Sequence, residues 1–342
     1  MAISEGELTA PERRAGLGWR VTGALVRRRE ASIFVVAVLL CIYFSLENAA
    51  FYSTDNLKNI SETMAPIALI AAGQTMLLIC GEIDLALGRV YALAPAIVYV
   101  VSSEEQHGLP LWVGMTAALL VSAAVGLTSG VITTFLRVPS FITTLGMIFL
   151  LNGLTLRISG AFPVETPGGH TFFRFFGGSP YATLYWAIGV IVVMAILLGR
   201  TRWGLRTVAT GGNLIGASES GVNVRRIKIG NFVICITLGA LAGILEGVRL
   251  TSIQPLQGGT SIMFYAVAAA VIGGTSLFGG SGTIIGAALG VLVLAVLNLG
   301  FTLQGVSAYT FDLVLGMAII LSMAFNVTLE RVRQSGRLGK LS

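Results

Sequence analysis

Residues 181–199 read YATLYWAIGVIVVMAILLG, residues 200–228 read RTRWGLRTVATGGNLIGASESGVNVRRIK, and residues 229–248 read IGNFVICITLGALAGILEGV. The first run has no charged side chain and the last has only Glu246. Each is close to the roughly 20 apolar residues that cross about 30 Å of hydrocarbon as a helix. The polar stretch between them holds Arg200, Arg202, Arg206, Arg225, Arg226 and Lys228. Lys and Arg collect beside the cytoplasmic ends of spans, so two spans joined by a cytoplasmic connector is the reading.

The rest of the chain repeats that pattern. Of its 342 residues 55% are hydrophobic and 11% charged, with a mean hydropathy of +0.85, against about 25% charged in a soluble domain. Apolar runs recur from Ile33 to Val327 without a polar domain between them. The organisation is therefore one membrane domain (31–327) between an N-terminal tail (1–30) and a C-terminal tail (328–342), with 200–228 as its cytoplasmic loop. The expected fold class is an all-α polytopic membrane protein of about ten transmembrane helices, some broken. The expected spans are 31–46, 57–80, 90–101, 111–136, 139–158, 181–199, 229–248, 262–272, 284–301 and 311–327. The eighth is short and abuts Gly273 and Gly274, as a helix broken inside the membrane would.

Orientation follows from a separate signal. Arg13, Arg14, Arg20, Arg27, Arg28 and Arg29 crowd the N-terminal tail, and Arg331, Arg333, Arg337 and Lys340 the C-terminal tail. With the central loop these segments hold most of the 22 basic residues, which places both termini and the loop in the cytoplasm. The positive charge sits beside span ends and not on a folded basic face, which excludes nucleic acid as a partner. The polar N-terminal tail shows no signal-peptide cleavage pattern, so the first span is expected to direct insertion.

Several chemistries have no residues to carry them. The sequence has no GxxxxGK[ST] run for binding nucleotide phosphates. The two histidines, His107 and His170, fall in separate outer loops, and Cys41, Cys80 and Cys235 are scattered singly through apolar runs. Neither a catalytic constellation, a metal site nor a disulfide is expected.

Charged groups at membrane depth are costly and tend to mark a pathway or a pair. Glu82 and Asp84 interrupt apolar sequence between Gly81 and Gly88. They read either as part of an unwound segment at membrane depth, with Asp84 bonding backbone donors, or as a solvated cytoplasmic-side loop with Arg89 as its anchor. Glu246 and Arg249 stand at a helical i, i+3 spacing and are expected to pair, and Asp312 is placed to cap the last span. Gln74, Asn152 and Asn298 are uncharged polar residues inside apolar spans, suited to bonding between helices or to lining a pore. Within 200–228, a short helix-compatible run lies between Gly211-Gly212-Asn213 and Gly221. Such a helix would suit docking to a separate cytoplasmic motor.

The chain resembles the permease subunits of the ribose-type branch of bacterial ATP-binding-cassette (ABC) importers, from about Asn56 onward. Gly81 to Gly88 is similar to that family's Gly-Gly-Ile-Asp-Leu-Ser-Val-Gly signature. Pro139-Ser140-Phe141-Ile142 with Thr144-Leu145-Gly146, Gly211-Gly212-Asn213 through Ser220-Gly221-Val222, and Arg249, Ser252, Gln254 and Pro255 follow in its order. Gly273-Gly274-Thr275-Ser276-Leu277 with Gly279-Gly280 resembles its late motif. The resemblance implies uptake of a small sugar or sugar-like solute across the bacterial cytoplasmic (inner) membrane. It implies a homodimer, a cytoplasmic ABC ATPase carrying ATP and magnesium, an extracytoplasmic solute-binding protein, and no cofactor on this chain beyond contact with membrane lipid. It assigns ATPase coupling to Gly211, Gly212, Asn213, Gly216, Ala217, Ser218, Glu219, Ser220 and Gly221. The translocation path or gate is expected among Gln74, Glu82, Asp84, Asn152, Gly273, Gly274, Thr275, Ser276 and Asn298. The chain departs from the family with Glu82 where Gly is usual, Ala86 for Ser, Gly216-Ala217-Ser218 for Ala-Ala-Arg, and Asn152 where Arg is frequent. Two alternatives stay open: a branched-chain amino acid permease, and an ion-coupled transporter using Glu82 or Asp84.

Overall fold

The computed structural model describes residues 29–166, 173–179 and 181–334. Most of the N-terminal tail, His170 and the end of the C-terminal tail lie outside the described residues. The apolar runs form α1 (Arg29–Glu47), α2 (Thr54–Ile79), α3 (Leu87–Ser102), α4 (Leu111–Phe135), α5 (Ser140–Ser159) and α6 (Ala182–Arg200). The polar connector folds into α7 (Arg202–Gly212) and α8 (Leu214–Glu219). Then come α9 (Val224–Leu250), α10 (Ser261–Ile272), α11 (Ile284–Leu303) and α12 (Ala308–Gln334). One short β contact departs from the all-α expectation: β1 (Val164–Glu165) pairs antiparallel with β2 (Ser252–Ile253).

Among the described residues, α1, α2, α4, α5, α6, α9 and α11 are long and apolar enough to cross a membrane, while α3, α10 and the apolar part of α12, Ala308–Leu321, are shorter. At about 1.5 Å per residue the 12 residues of α10 rise about 18 Å, which falls well short of the hydrocarbon thickness. The expected eighth span is thus a half-helix. Asp312 does not cap α12, which is a correction: the helix starts one turn earlier, where Ser307 Oγ accepts from Thr310 N at 3.4 Å. Asp312 accepts instead from the Tyr265 hydroxyl at 3.3 Å.

The core gathers around α2 and α9. α2 is buried over 78% of its apolar stretch and α1 over 17%, which makes α2 central and α1 peripheral. Lipid tails are as apolar as leucine, so helices here associate through close packing of small residues. At Gly73 of α2 a Cβ would lie 2.9 Å from Cys235 Cα of α9, and at Gly126 of α4 it would lie 2.8 Å from Phe232 O. Backbones approach at van der Waals distance where larger residues would hold them apart.

The half-helices α3 and α10 start at one place. Leu87, the first residue of α3, packs where Gly239 lacks a side chain, and Gly239 lies near the middle of the 27-residue α9. A Cβ at Gly88 would fall 1.7 Å from Gly259 O, just before α10 begins. The chain therefore runs twice through the same plan: a long helix, an extended stretch, and a half-helix whose N-terminus lies deep in the bundle. Discontinuous helices of this kind place irregular backbone and positive helix ends at membrane depth.

Candidate functional site

The first extended stretch, 81–86, leaves the end of α2 through Gly81, whose φ of +79° falls in the left-handed region that glycine adopts freely. Asp84 is fully buried, and its Oδ1 accepts from Ala86 N at 2.7 Å, occupying one backbone donor where α3 begins. Gln74, one helix away, is also fully buried, and its Oε1 accepts from Cys235 Sγ at 3.4 Å. Asp84 Oδ2 and Gln74 Nε2 have no partner among the described residues. This leaves an acceptor and a donor without a protein partner in the bundle centre.

Glu82 takes a different direction from Asp84, two residues away. It forms an ion pair with Lys228 of α9, and the two side chains are 10% and 15% exposed. Neither reading of the sequence included this pair, because the partner of Glu82 comes from 146 residues away. The pair lines a cleft of about 900 Å³ together with Thr133, Arg137, Ser218, Gly221 and Arg225. Glu82 thus lies beside the connector that carries α8.

The connector is pinned to the bundle by a buried polar cluster. Trp203 Nε1 donates to Asn231 Oδ1 at 2.9 Å, and Asn231 Nδ2 donates to Thr207 Oγ1 at 3.2 Å and to Met76 O at 3.4 Å. Asn231 therefore joins α7, α9 and α2. Sequence reasoning passed over it; the signal was an Asn among apolar residues early in a span that follows a basic loop. Asn213 ends α7 and caps α8, its Oδ1 accepting from Gly216 N at 2.9 Å. Gly221, at φ +80°, turns the chain after α8, with Val222 N bonded to Ala217 O at 3.0 Å. Ala217 packs inward while Leu214 and Ile215 are 48% and 69% exposed, giving a short helix with an apolar outer face.

Two residue sets that were read separately meet at this point. Beyond α10, Gly273 packs on α11, where a Cβ would come 2.4 Å from Gly286 O, and Thr275 is fully buried with its N bonded to Ala270 O at 2.9 Å. Gly274 has φ +87°, Ser276 N bonds Ser281 O at 2.9 Å, and Gly280 N bonds Ile79 O at 2.8 Å. A Cβ at Gly211 would lie 1.7 Å from Ile79 O and 2.7 Å from Gly280 N. The 273–282 turn, the end of α2 and the end of α7 are thus in backbone contact. Asn152 is half-buried on α5 and Asn298 is exposed on α11, and neither shares a hydrogen bond with Gln74 or Asp84.

At the opposite end of α9, Arg249 forks onto Glu246 at 2.7 and 2.8 Å, as the i, i+3 spacing led one to expect. Glu62 of α2 joins at 3.0 Å from Arg249 Nη1, and Lys58 lies 3.7 Å from Glu62. The network ties α2 to α9 at that end. Among the described residues no group of His, Cys, Asp and Glu side chains is arranged to hold a metal ion.

The sequence pattern of the family described as "Branched-chain amino acid transport system / permease component" matches residues 56–323. The xylose/arabinose import permease protein XylH of Sulfolobus acidocaldarius is 38% identical, over 90% of this chain and 87% of that protein. The ribose import permease protein RbsC of Escherichia coli K12 is also 38% identical, over 86% and 92%. The autoinducer 2 import system permease protein LsrC of Yersinia enterocolitica is 31% identical, over 87% and 82%. No solved structure matches the chain. With a family match over most of its length, and with the broken helices and long apolar spans described above, the chain belongs to this family of permease components and is a multi-pass protein of the cytoplasmic membrane.

Proposed function

We propose that this chain forms the passage of an ATP-driven importer for a small sugar, with both termini and α7–α8 in the cytoplasm. Two copies form the passage, an ATPase docks on α8, and an external binding protein delivers the solute. The observation that carries the reading is the seam at Gly211, Gly280 and Ile79, where the connector touches both broken-helix elements through backbone. A push on the exposed face of α8 passes through α7 to the 273–282 turn and α10, and through Ile79 to the 81–86 break and α3. Close-packed backbone transmits such a displacement because it has no soft side chain to absorb it. The names of the sugar-import relatives, which cover most of the chain, support a sugar over an amino acid. A bundle centre with uncharged Gln74 and a self-bonded Asp84 suits a neutral polyol that is released without a charge partner.

The chain alone should hydrolyse no ATP, in keeping with its lack of a phosphate-loop sequence. Reconstituted with its ATPase and binding protein, it should take up a pentose or related sugar in step with ATP turnover. Uptake of leucine with no uptake of sugar would move the assignment to amino acids. Uptake that outlasts ATP depletion and stops with the ion gradient would make the chain a secondary transporter.

Topology gives a second test. With the native cysteines replaced, a cysteine at Ser218 should react with an impermeant maleimide only in inverted vesicles, and one at Ser179 only in intact cells. Reaction of Ser218→Cys from outside would reverse the orientation and remove the ATPase from α8.

A further inference from the structure

At the connector end of the bundle, a groove of about 520 Å³ runs between the last turn of α4 and the start of α9, with α7 as its third wall. Its apolar walls are Phe135, Trp203 and Ile229, and Arg225 and Arg226 stand at its rim. The six-membered edge of the Trp203 indole packs against Gly230, where a Cβ would come 2.3 Å from its Cζ2 and Cη2, while its N–H is turned inward to Asn231. Trp203 is half-buried, and the rest of its ring lines the groove. Arg225 stacks over the Phe135 ring at 5.0 Å, and among the described residues neither Arg225 nor Arg226 has a carboxylate partner. Glu82, which shares the neighbouring cleft with Arg225, is taken by Lys228.

Two further features point the groove toward the bilayer. Phe135, Val131 and Leu127 are spaced four residues apart, so they form one stripe along α4, and all three are exposed, at 56%, 37% and 50%. The stripe continues the groove toward the hydrocarbon. On the other side α7 presents Arg202, Leu205 and Arg206 outward immediately after α6 ends, as a helix lying in the headgroup plane does. Basic residues in the first turn of α9 also oppose its own dipole, which favours negative charge there. A cationic rim, aromatic walls and an apolar stripe leading away match a phosphate group with a chain attached.

We propose that this groove is a binding site for one anionic phospholipid, its phosphate on Arg225 and Arg226 and an acyl chain along Phe135, Val131 and Leu127. The site differs from the transport path and needs neither ATPase nor sugar. Basic pockets between span ends hold anionic headgroups in this way, and each basic residue near such a surface is worth roughly a fivefold preference.

Trp203 provides the readout, because bromine on an acyl chain quenches indole fluorescence only at contact. In a Trp19→Phe, Trp112→Phe, Trp186→Phe background, brominated phosphatidylglycerol at low mole fraction in phosphatidylcholine vesicles should quench Trp203 at least about fivefold more effectively than brominated phosphatidylcholine. Arg225→Gln with Arg226→Gln should make the two lipids equal while quenching by the phosphatidylcholine stays as it was, which shows that the variant is inserted and folded. Should the double variant not insert, Arg226→Gln alone should lose about half of the preference on a logarithmic scale. Unbrominated phosphatidylglycerol should relieve the quenching, and inorganic phosphate should not. Equal quenching in the parent, a preference that survives both substitutions, or relief by phosphate alone would overturn the proposal. Equal quenching in the parent together with loss of ATPase binding in the double variant would make the groove a protein surface instead.

Discussion

Gly211→Val stops sugar uptake while the protein still inserts and still contacts its binding protein: this is the largest single-residue effect expected of the chain. The first added carbon would overlap Ile79 O at 1.7 Å and press on Gly280 N at 2.7 Å. Both are backbone atoms, so relief requires a helix end or the 273–282 turn to move. Overpacking of this kind costs about 3 kcal/mol at the upper end of its usual range, enough to shift a balance between two conformations roughly a hundredfold. Uptake should fall by at least tenfold in reconstituted vesicles, and sugar-stimulated ATP turnover should fall with it. Gly212→Ala is the control, since a Cβ there meets nothing closer than 3.8 Å and should be tolerated. Normal uptake in Gly211→Val would show that force does not pass through this seam. Normal ATP stimulation with lost uptake would place the seam in the passage and not in the coupling.

What the sequence disclosed divides by physical range. Helices are local, so the order and approximate ends of the apolar ones were legible from run length, and so was a short helix before Gly221 in the connector. The pairing of Glu246 with Arg249 was legible because helical geometry alone brings them together. Glu62, which completes that network from α2, was not, because it is 187 residues away in the chain. Asn231 was obscured in another way, since one polar residue in an apolar span looks the same whether it pins three helices or faces a pore. Asp312 misled because local capping logic supplied a role before the true start of α12 was known. The meeting of the 211–213 and 273–282 segments was equally hidden. Each is rich in glycine for its own turn, and sequence gives no sign that the missing side chains also make room for one another.

Glu82 shows what this difference does to a prediction. If it lined the passage, Glu82→Gly would alter solute handling and leave coupling untouched. Paired with Lys228 beside the connector, it should instead affect the fold of that face. Removing one member leaves the other charge nearly buried without a partner, and breaking a buried pair costs about 3–5 kcal/mol. Residual exposure of 10% and 15% lets water reach both groups, so about 2–3 kcal/mol is expected. Glu82→Gln should therefore lower detergent thermal stability and weaken ATPase binding, with little change in which sugars compete for uptake. The double variant Glu82→Gln, Lys228→Met should recover most of that stability, because replacing both charges removes the unpaired cation together with the need to solvate it. The coupling energy from this double-mutant cycle isolates the pair from each residue's other contacts. A value near zero, or a changed sugar profile in Glu82→Gln at full stability, would return Glu82 to the passage. A large coupling energy with an unchanged profile fixes it as the clamp between the 81–86 break and the first turn of α9.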